Sequence, residues 1–328
     1  MDAFSYLRAT DIDAAVRGAG ADGAYYIGGG TNLLDLLKSG VEHATTLIDI
    51  THLDLARIAN TDNGGLRIGA LARNSDTASD SEVRRRYPLL SAALLAGASQ
   101  QLRNMATMGG NLMQRTRCHY FVDVGNSACN KRKPGSGCAA LQGHNRQHAI
   151  FGASDTCIAT HPSDMCVALA ALEATVRIQG PNGERTMAFE DFHRLPGDDP
   201  QRDTNLTPGE LITGVDLPPQ GFAEHWHYLK IRDRASFAFA LVSVAAGLDL
   251  DGDVVRDARV ALGGVAHKPW RARETERQLI GKRLSAESIA SAANAAVADA
   301  KPYRDNAFKV KLAPSAIVRA VSIAGGLA

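Results

Sequence analysis

Hydrophobic positions in the first half of the chain alternate between short β-type runs and helical runs rich in Ala and Leu. "AYYIGGG" (24–30) predicts a strand that ends in glycines, and "TNLLDLLKSG" (31–40) predicts a short helix closed by Gly40. "TTLIDI" and "LRIGAL" predict two more strands, and "YPLLSAALLAGASQQLRN" predicts one helix. The segment "RTRCHYFVDVGNSACNKRKPGSGC" (115–138) breaks this alternation, because it has no apolar periodicity and therefore predicts a structureless loop.

The second half continues with fewer and longer elements. "SDMCVALAALEATVRIQG" predicts a helix that leads into a strand, and "PNGERTMAFEDF" predicts the rest of a hairpin. "LITGVDLPPQG" predicts a strand stopped by prolines, and we place a domain boundary there, near Pro219. Beyond it, "EHWHYLKIRDRASFAFALVSVAAGLDL" predicts a strand followed by a long apolar run, and "VVRDARVALGGVA" predicts another strand. The C-terminal runs predict helices, the last over "APSAIVRAVSIAGG". The pattern predicts an α+β protein with domains at 1–219 and 220–328.

Composition narrows the classes of function. The net charge of +1 excludes a nucleic-acid binder that relies on bulk charge, and 5% aromatic residues leave few platforms for base stacking. No uninterrupted apolar stretch approaches a membrane span, and "MDAFSYLRATDIDAAV" lacks the basic and then apolar pattern of a signal peptide. We therefore expect synthesis in the cytoplasm, no membrane span, and export only as the passenger of a partner.

Two glycine-rich loops carry the first candidate chemistry. "IGGGTNLLDLL" places three glycines between a strand and a helix, where close backbone approach and helix N-terminal amides suit a diphosphate. A tight turn without a ligand remains an open alternative, and neither P-loop nor Rossmann spacing is present. "TMGGNLM" repeats the chemistry and adds Thr107 and Asn111. Together the two loops could hold one diphosphate, as a dinucleotide requires.

Two further segments carry charged residues that could contact a ligand. Asp164 in "THPSDM" stands at a helix entry, where it could cap the helix or accept a hydrogen bond from a ribose hydroxyl. Lys230, Arg232 and Arg234 alternate along "YLKIRDRASF". They form either a solvated edge or cations close to an electron-rich ring or a phosphate.

The cysteines are candidate metal ligands. Cys118, Cys129, Cys138 and Cys157 lack the short C-x₂₋₄-C pairs of structural zinc sites, and three of them lie in a basic, glycine-rich loop. An iron–sulphur cluster, zinc and no metal all remain open on spacing alone. Cys166 lies in an apolar helical run, which predicts a buried free thiol.

The loop also contains groups that suit a cluster. Its basic residues would offset the negative charge of a thiolate-ligated cluster: Arg117, Lys131, Arg132 and Lys133. Gly135 and Gly137 would let backbone amides approach the sulphurs.

An ordered set of motifs resembles the FAD-binding medium subunit of the xanthine dehydrogenase family of molybdenum hydroxylases. The set is "YIGGGTNLLDLLK", "TMGGNL", "THPSDMCVALAAL", "YLKIRDRASFAFALVSVAA" and "ALGGVAHKPWRA", and it spans nearly the whole chain. The resemblance implies a FAD-binding domain of the vanillyl-alcohol-oxidase (PCMH) type, followed by a smaller α+β domain of the CO dehydrogenase flavoprotein type. The cysteine-bearing insertion, at about 115–157, is similar to that of bacterial periplasmic aldehyde oxidoreductases, whose medium subunit holds a 4Fe-4S cluster.

The resemblance also implies particular site residues. The implied FAD contacts are Tyr25, Tyr26, Ile27, Gly28, Gly29, Gly30, Thr31, Asn32, Leu33, Thr107, Gly109, Gly110, Asn111, Asp164 and Lys230. The implied 4Fe-4S ligands are Cys118, Cys129, Cys138 and Cys157. No catalytic residue is implied on this chain.

The activity implied by the resemblance belongs to a heterotrimer. A large molybdopterin subunit would oxidise an aldehyde to a carboxylic acid, and a small 2Fe-2S subunit would pass the electrons through FAD to an external acceptor. A twin-arginine signal on the small subunit could carry the complex to the periplasm. Two alternatives are a stand-alone iron–sulphur flavoprotein reductase and a zinc-stabilised nucleotide-binding regulator. The sequence leaves open the aldehyde, the acceptor, export, and whether the cluster transfers electrons.

Overall fold

A computed structural model describes residues 1–327, and it confirms the alternating helices and strands and the α+β class. The strands are β1 Ser5–Arg8, β2 Ala24–Ile27, β3 Thr46–Asp49, β4 Ile58–Asn60, β5 Leu66–Gly69, β6 Thr175–Gly180, β7 Gly183–Ala188, β8 Leu211–Leu217, β9 Trp226–Ile231, β10 Val242–Asp251, β11 Val254–Gly263 and β12 Trp270–Arg271. The helices are α1 Ile12–Gly18, α2 Leu33–Lys38, α3 Asn74–Ser79, α4 Ser81–Arg86, α5 Pro88–Ala96, α6 Gln100–Arg103, α7 Met108–Leu112, α8 His119–Val122, α9 Asp164–Ala171, α10 Phe189–Phe192, α11 Arg273–Leu279, α12 Ala286–Ala295 and α13 Lys309–Ala324.

The strands form three sheets. A parallel sheet has the order β1-β3-β2, with Tyr26 of β2 opposite Ile48 of β3. Two antiparallel sheets have the orders β4-β5-β8-β6-β7 and β12-β11-β10-β9. The glycines that follow β2 lie at the carboxyl edge of this parallel sheet. Helix α2 begins directly after them, so its N-terminal amides face the glycine-rich loop.

Three predicted elements differ in detail. The helix predicted over 87–104 is two helices, because Ala98 takes a positive φ of 53° and the Ser99 hydroxyl then caps α6 by accepting from Leu102. α13 begins earlier than predicted and contains Pro314 in its interior. The cysteine loop contains the short helix α8, since Phe121 is fully buried against the end of α2, so the prediction of a structureless loop was wrong.

The core joins the two halves of the chain. Between Leu217 and Trp226 the chain leaves the five-stranded sheet and enters the four-stranded one. Tyr228 and Ala245 of that second sheet nevertheless belong to the same buried cluster as helix α9. The boundary near Pro219 therefore stays a prediction. Within residues 1–327, no helix combines the length and the apolar character needed to cross a bilayer.

Candidate functional site

A cavity of about 690 Å³ lies at the carboxyl end of β2. Both glycine loops line it: the whole of 25–33 from the first, and Thr107, Gly109 and Gly110 from the second. A volume of this size is typical of pockets that hold cofactors. The structure thus brings most of the predicted flavin contacts to one surface.

The glycines are required because the two loops touch through their backbones. A β-carbon on Gly29 would overlap the carbonyl oxygen of Met105, directly before the second loop. A β-carbon on Gly109 would stand 3.1 Å from the Ala70 β-carbon, and Gly30 has a φ of +69°. A side chain at Gly29 would push the loops apart, one at Gly109 would press on Ala70, and one at Gly30 would strain the backbone.

The first loop presents unused hydrogen-bond donors to the cavity. Among residues 1–327, the backbone amides of Gly28 to Asn32 donate to no protein acceptor. The side-chain Nδ2 of Asn32 is buried and has no partner either. Donors without a protein partner suit the oxygens of a bound diphosphate, and this loop presents a row of such amides and one buried carboxamide. The residues present therefore fit FAD.

Two tyrosines form a neutral part of the wall. The Tyr25 hydroxyl donates to Glu42 at 2.8 Å, and the Tyr26 hydroxyl donates to the Gly209 carbonyl at 2.9 Å. Burial raises the pKa of Tyr25 to about 12, and Glu42 adds to the shift. Burial also raises the pKa of Tyr26. Both side chains therefore stay protonated and uncharged near neutral pH.

A partly buried ion network lines the cavity next to Tyr25, and sequence analysis missed its acidic members. Arg115 pairs with Glu42 and, at 2.7 Å, with Asp203, and Lys131 pairs with Asp203 as well. Burial alone would raise the pKa of Asp203, but Lys131 and Arg115 hold that pKa well below its ordinary value. His193 also lines the cavity. These acids and His193 belong to no motif, so only the fold identifies them.

Three of the predicted flavin contacts are not among the residues that line the cavity. Asp164 forms an ion pair with Lys230 at 2.7 Å and accepts from the Tyr228 hydroxyl at 2.7 Å. Ser163, not Asp164, caps α9. The Asn111 side chain accepts from Ser163 Oγ at 2.8 Å. The predicted contacts of Asn111, Asp164 and Lys230 with FAD therefore stay predictions.

The four clustered cysteines converge on a second, very small void of about 10 Å³. Cys129 and Cys138 face each other across an antiparallel bridge. Cys157 closes a tight turn with Ser154, and Cys118 directly precedes α8. Residues separated by up to 39 positions in sequence thus share one lined space.

The spacing of the sulphurs does not match a single ion. Among the described residues, no three of these sulphurs lie within 4.8 Å of one another. Tetrahedral zinc with bonds of about 2.3 Å would need sulphurs roughly 3.8 Å apart. Burial raises the pKa of Cys118 to about 12 and that of Cys157 to about 11, so both are thiols unless a cation is bound.

A histidine lies beside one of the sulphurs. His148 Nε2 lies 3.2 Å from Cys118 Sγ. An N–H donor beside a sulphur lowers the energy of a thiolate in a cluster.

One predicted role in the loop was wrong, since the Gly137 amide donates to Asn130 Oδ1 at 2.8 Å and is not free for the sulphurs. Arg132 donates to the carbonyls of Tyr120 and Phe121, and the effect of its charge on a cluster stays a prediction.

The other basic residues also differ in their surroundings. Arg117 stacks on Phe239, and Lys133 is exposed. Lys131 is paired with Asp203, yet its charge still lowers the pKa of Cys157 against the larger effect of burial. Cys166 is fully buried, as predicted.

Comparison with known families assigns both halves of the chain. The family described as "FAD binding domain in molybdopterin dehydrogenase" matches residues 2–220, and "CO dehydrogenase flavoprotein C-terminal domain" matches residues 227–324. The chain belongs to the family of FAD-binding medium subunits of molybdenum hydroxylases, which are oxidoreductases. The predicted fold type is thereby confirmed, and FAD is its cofactor.

Individual relatives cover nearly the whole chain. The aldehyde oxidoreductase FAD-binding subunit PaoB of Escherichia coli is 53% identical over 315 residues, 95% of each chain. The glyceraldehyde dehydrogenase medium chain of Sulfolobus acidocaldarius is 30% identical and covers 92% of this chain and 90% of its own.

Solved structures agree in fold. Quinoline 2-oxidoreductase from Pseudomonas putida superposes with a TM-score of 0.76 at 26% identity, covering 99% of this chain and 98% of its own. Carbon monoxide dehydrogenase from Hydrogenophaga pseudoflava gives a TM-score of 0.78 at 25% identity, with the same coverage.

Proposed function

We propose that this protein is the FAD-binding electron-transfer subunit of a molybdenum-dependent complex that oxidises aldehydes to carboxylic acids. The observation that carries the proposal is the cavity where two glycine loops meet and present unpartnered amides from Gly28 to Asn32. The aldehyde class is supported by the names of the two relatives at 53% and 30% identity. The substrate itself would be oxidised on a partner subunit.

Each part of the cavity has a distinct task in this proposal. The amides of the first loop hold the diphosphate, and Thr107 keeps the second loop in shape by accepting from the Gly110 amide at 3.2 Å. Tyr25 and Tyr26 supply uncharged walls. When bound, FAD supplies reversible storage of two electrons and their release one at a time. The chain's own contribution is to orient the flavin and exclude water from it.

The partners would be a large molybdopterin subunit and a small subunit with 2Fe-2S clusters. Electrons would pass from the small subunit to the flavin on this chain and then to an external acceptor. The relatives' designations as subunits and medium chains support such an assembly. A stand-alone reductase would need its own substrate site in addition to the flavin cavity.

The four clustered cysteines would hold a 4Fe-4S cluster. Support comes from their convergence on one small void, from sulphurs spread too widely for one zinc ion, and from His148 Nε2 at 3.2 Å from Cys118 Sγ. The same spread argues against the zinc-stabilised regulator. Because thiols must lose their protons to bind the cluster, its assembly would release protons to solvent.

The cluster assignment is tested by iron content in two cysteine variants of the purified protein. Cys129→Ser should lose its iron while keeping FAD, and Cys166→Ala, at a buried cysteine outside the void, should keep both. Full iron in Cys129→Ser would overturn the ligand set. A colourless protein with stoichiometric zinc would overturn the cluster in favour of the regulator.

The electron-transfer role is tested by flavin bleaching. In the purified complex, an aldehyde should bleach the flavin absorbance under anaerobic conditions, whereas the isolated chain with FAD should stay oxidised. Bleaching of the isolated chain by aldehyde would support the stand-alone reductase instead. We also propose export with a twin-arginine-targeted partner, which fractionation of cells with and without that signal would check.

A further inference from the structure

A third group of ligand-type side chains lies beside the flavin cavity and outside the cysteine insertion's void. One ring nitrogen each of His161 and His193 and the Cys166 sulphur all lie within 4.8 Å of one another. They come from the loop before α9, the first turn of α9 and the segment after α10. Cys166 is fully buried and His193 is 3% exposed. The fold, rather than any local motif, brings these three together.

Each imidazole has one buried nitrogen that the surrounding protein leaves without a partner. His161 Nε2 and His193 Nδ1 are both buried and have no hydrogen-bond partner among the described residues. His193 Nε2 lies 2.9 Å from the Leu112 carbonyl oxygen, which can only accept, so the ring proton is on Nε2 and Nδ1 carries a lone pair. A histidine that donates one N–H to a carbonyl and offers its other nitrogen is the usual form of a metal ligand.

The backbone holds all three residues in place. The His161 amide donates to the Ala266 carbonyl at 3.0 Å, and His193 pairs with Thr204 in an isolated bridge. The Cys166 amide donates to Ser163 Oγ at 3.1 Å, the cap of α9. Little rearrangement is needed for the three side chains to close on one ion.

We propose that His161, Cys166 and His193 form a binding site for a soft d¹⁰ cation, and that the cation is Cu⁺ rather than Zn²⁺. One thiol and two imidazoles select such ions and exclude Mg²⁺ and Ca²⁺, which need oxygen ligands. Binding replaces the Cys166 thiol proton, which leaves to solvent, and forms one Cu–S and two Cu–N bonds without a change of oxidation state.

The charge of the surroundings decides between the two ions. Cu⁺ on the Cys166 thiolate gives a neutral buried group, whereas Zn²⁺ would leave one uncompensated positive charge. Asp203, whose charge reaches both imidazoles, is already paired with Lys131 and Arg115. Zinc also prefers a fourth ligand, and the described residues supply three.

The proposed ion site lies between the second glycine loop and helix α9. His193 lines the flavin cavity, and its Nε2 holds the Leu112 carbonyl at the end of α7, the helix formed by the second glycine loop. A bound ion would therefore tie that loop to helix α9. The proposal depends neither on the aldehyde activity nor on the 4Fe-4S cluster.

The test is an anaerobic Cu⁺ titration of the purified full chain, loaded with its cofactors, against a chromogenic Cu⁺ chelator. Wild type should bind one tight equivalent that Cys166→Ala lacks. X-ray absorption at the copper edge should show one sulphur and two nitrogen neighbours. Met165→Leu, which removes the neighbouring buried sulphur on the same helix, should bind like wild type.

Several outcomes would overturn the site. Equal Cu⁺ binding by wild type and Cys166→Ala, or a copper spectrum with sulphur neighbours alone, would place the ion elsewhere. Tighter binding of Zn²⁺ at the same three residues would overturn the charge argument. If Cys166→Ala unfolds, as circular dichroism would reveal, His161→Gln at the partly exposed ligand is measured instead, and unchanged binding there refutes the site.

Discussion

Replacing Gly29 by alanine should weaken FAD binding more than any other single methyl group added to the chain's glycine loops. The new β-carbon would stand 2.7 Å from the Met105 carbonyl carbon and 3.2 Å from the Ala106 α-carbon, and would overlap the Met105 oxygen. All of these are backbone atoms, which cannot rotate away as a flexible side chain would. The two loops must therefore separate.

The size of the effect follows from that separation. Ordinary contact begins near 3.4 Å, so the loops must part by roughly 0.7 Å at the carbonyl carbon alone. An amide that donates at about 2.9 Å would then stand near 3.6 Å, too far for a hydrogen bond. Overpacking of this kind costs about 1–3 kcal/mol, which corresponds to roughly 5- to 150-fold weaker binding if it falls on the flavin complex.

The assay is fluorescence titration of FAD into flavin-depleted protein, together with the flavin retained after purification. Gly125→Ala is the matched control, because a β-carbon there meets nothing within 4 Å and the position does not line the cavity. If Gly29→Ala binds FAD as tightly as Gly125→Ala does, the contact between the two loops is not what shapes the flavin site.

Other predictions concern the buried charges. Burial lowers the pKa of His267 from 6.5 to about 4. Between these pH values the unfolded chain binds a proton that the folded chain does not bind, so the free energy of unfolding falls as the pH falls. Urea unfolding of His267→Gln should show a shallower fall across that window, by up to about 1.4 kcal/mol per pH unit, and an unchanged slope would contradict this. Asp203→Asn should lower the free energy of unfolding by about 3–5 kcal/mol, because fully buried Lys131 and partly buried Arg115 lose their shared carboxylate; a loss below about 1 kcal/mol would show that water replaces it. Lys230→Met and Asp164→Asn should each destabilise the fold, while the double variant should lose less than the sum; simple additivity in a double-mutant cycle would deny that their ion pair is coupled.

Elements with local signals could be predicted from the sequence. The strand and helix around Gly28 to Gly30 follow from apolar runs, glycines and a helix start, all within about twenty residues. The division of the helix at Ala98 could not be foreseen, because the Ser99 cap competes locally with helix continuation and only packing decides the outcome.

The same distinction holds for the functional site, where some residues belong to local motifs and others meet only in the fold. The residues of the glycine loops are enough to predict a candidate diphosphate site. Asp203 reaches the cavity from a polar loop without any pattern, and its role depends on Lys131 and Arg115, which are distant in sequence. His193 and His161 likewise meet Cys166 only through the packing of α9 against its neighbours. Contacts of this kind leave no periodicity to detect.

Residues 150–157, which lead to Cys157, depend on the C-terminal part of the chain for their position. The amides of Ile150 and Phe151 both donate to the Val265 carbonyl, the Phe151 ring stacks on Trp270, and the Lys301 amide donates back to Ile150. The stretch that positions Cys157 is thus clamped by the C-terminal part of the chain. A fragment that ends at residue 219 would therefore lose these contacts, and with them the support for the position of Cys157.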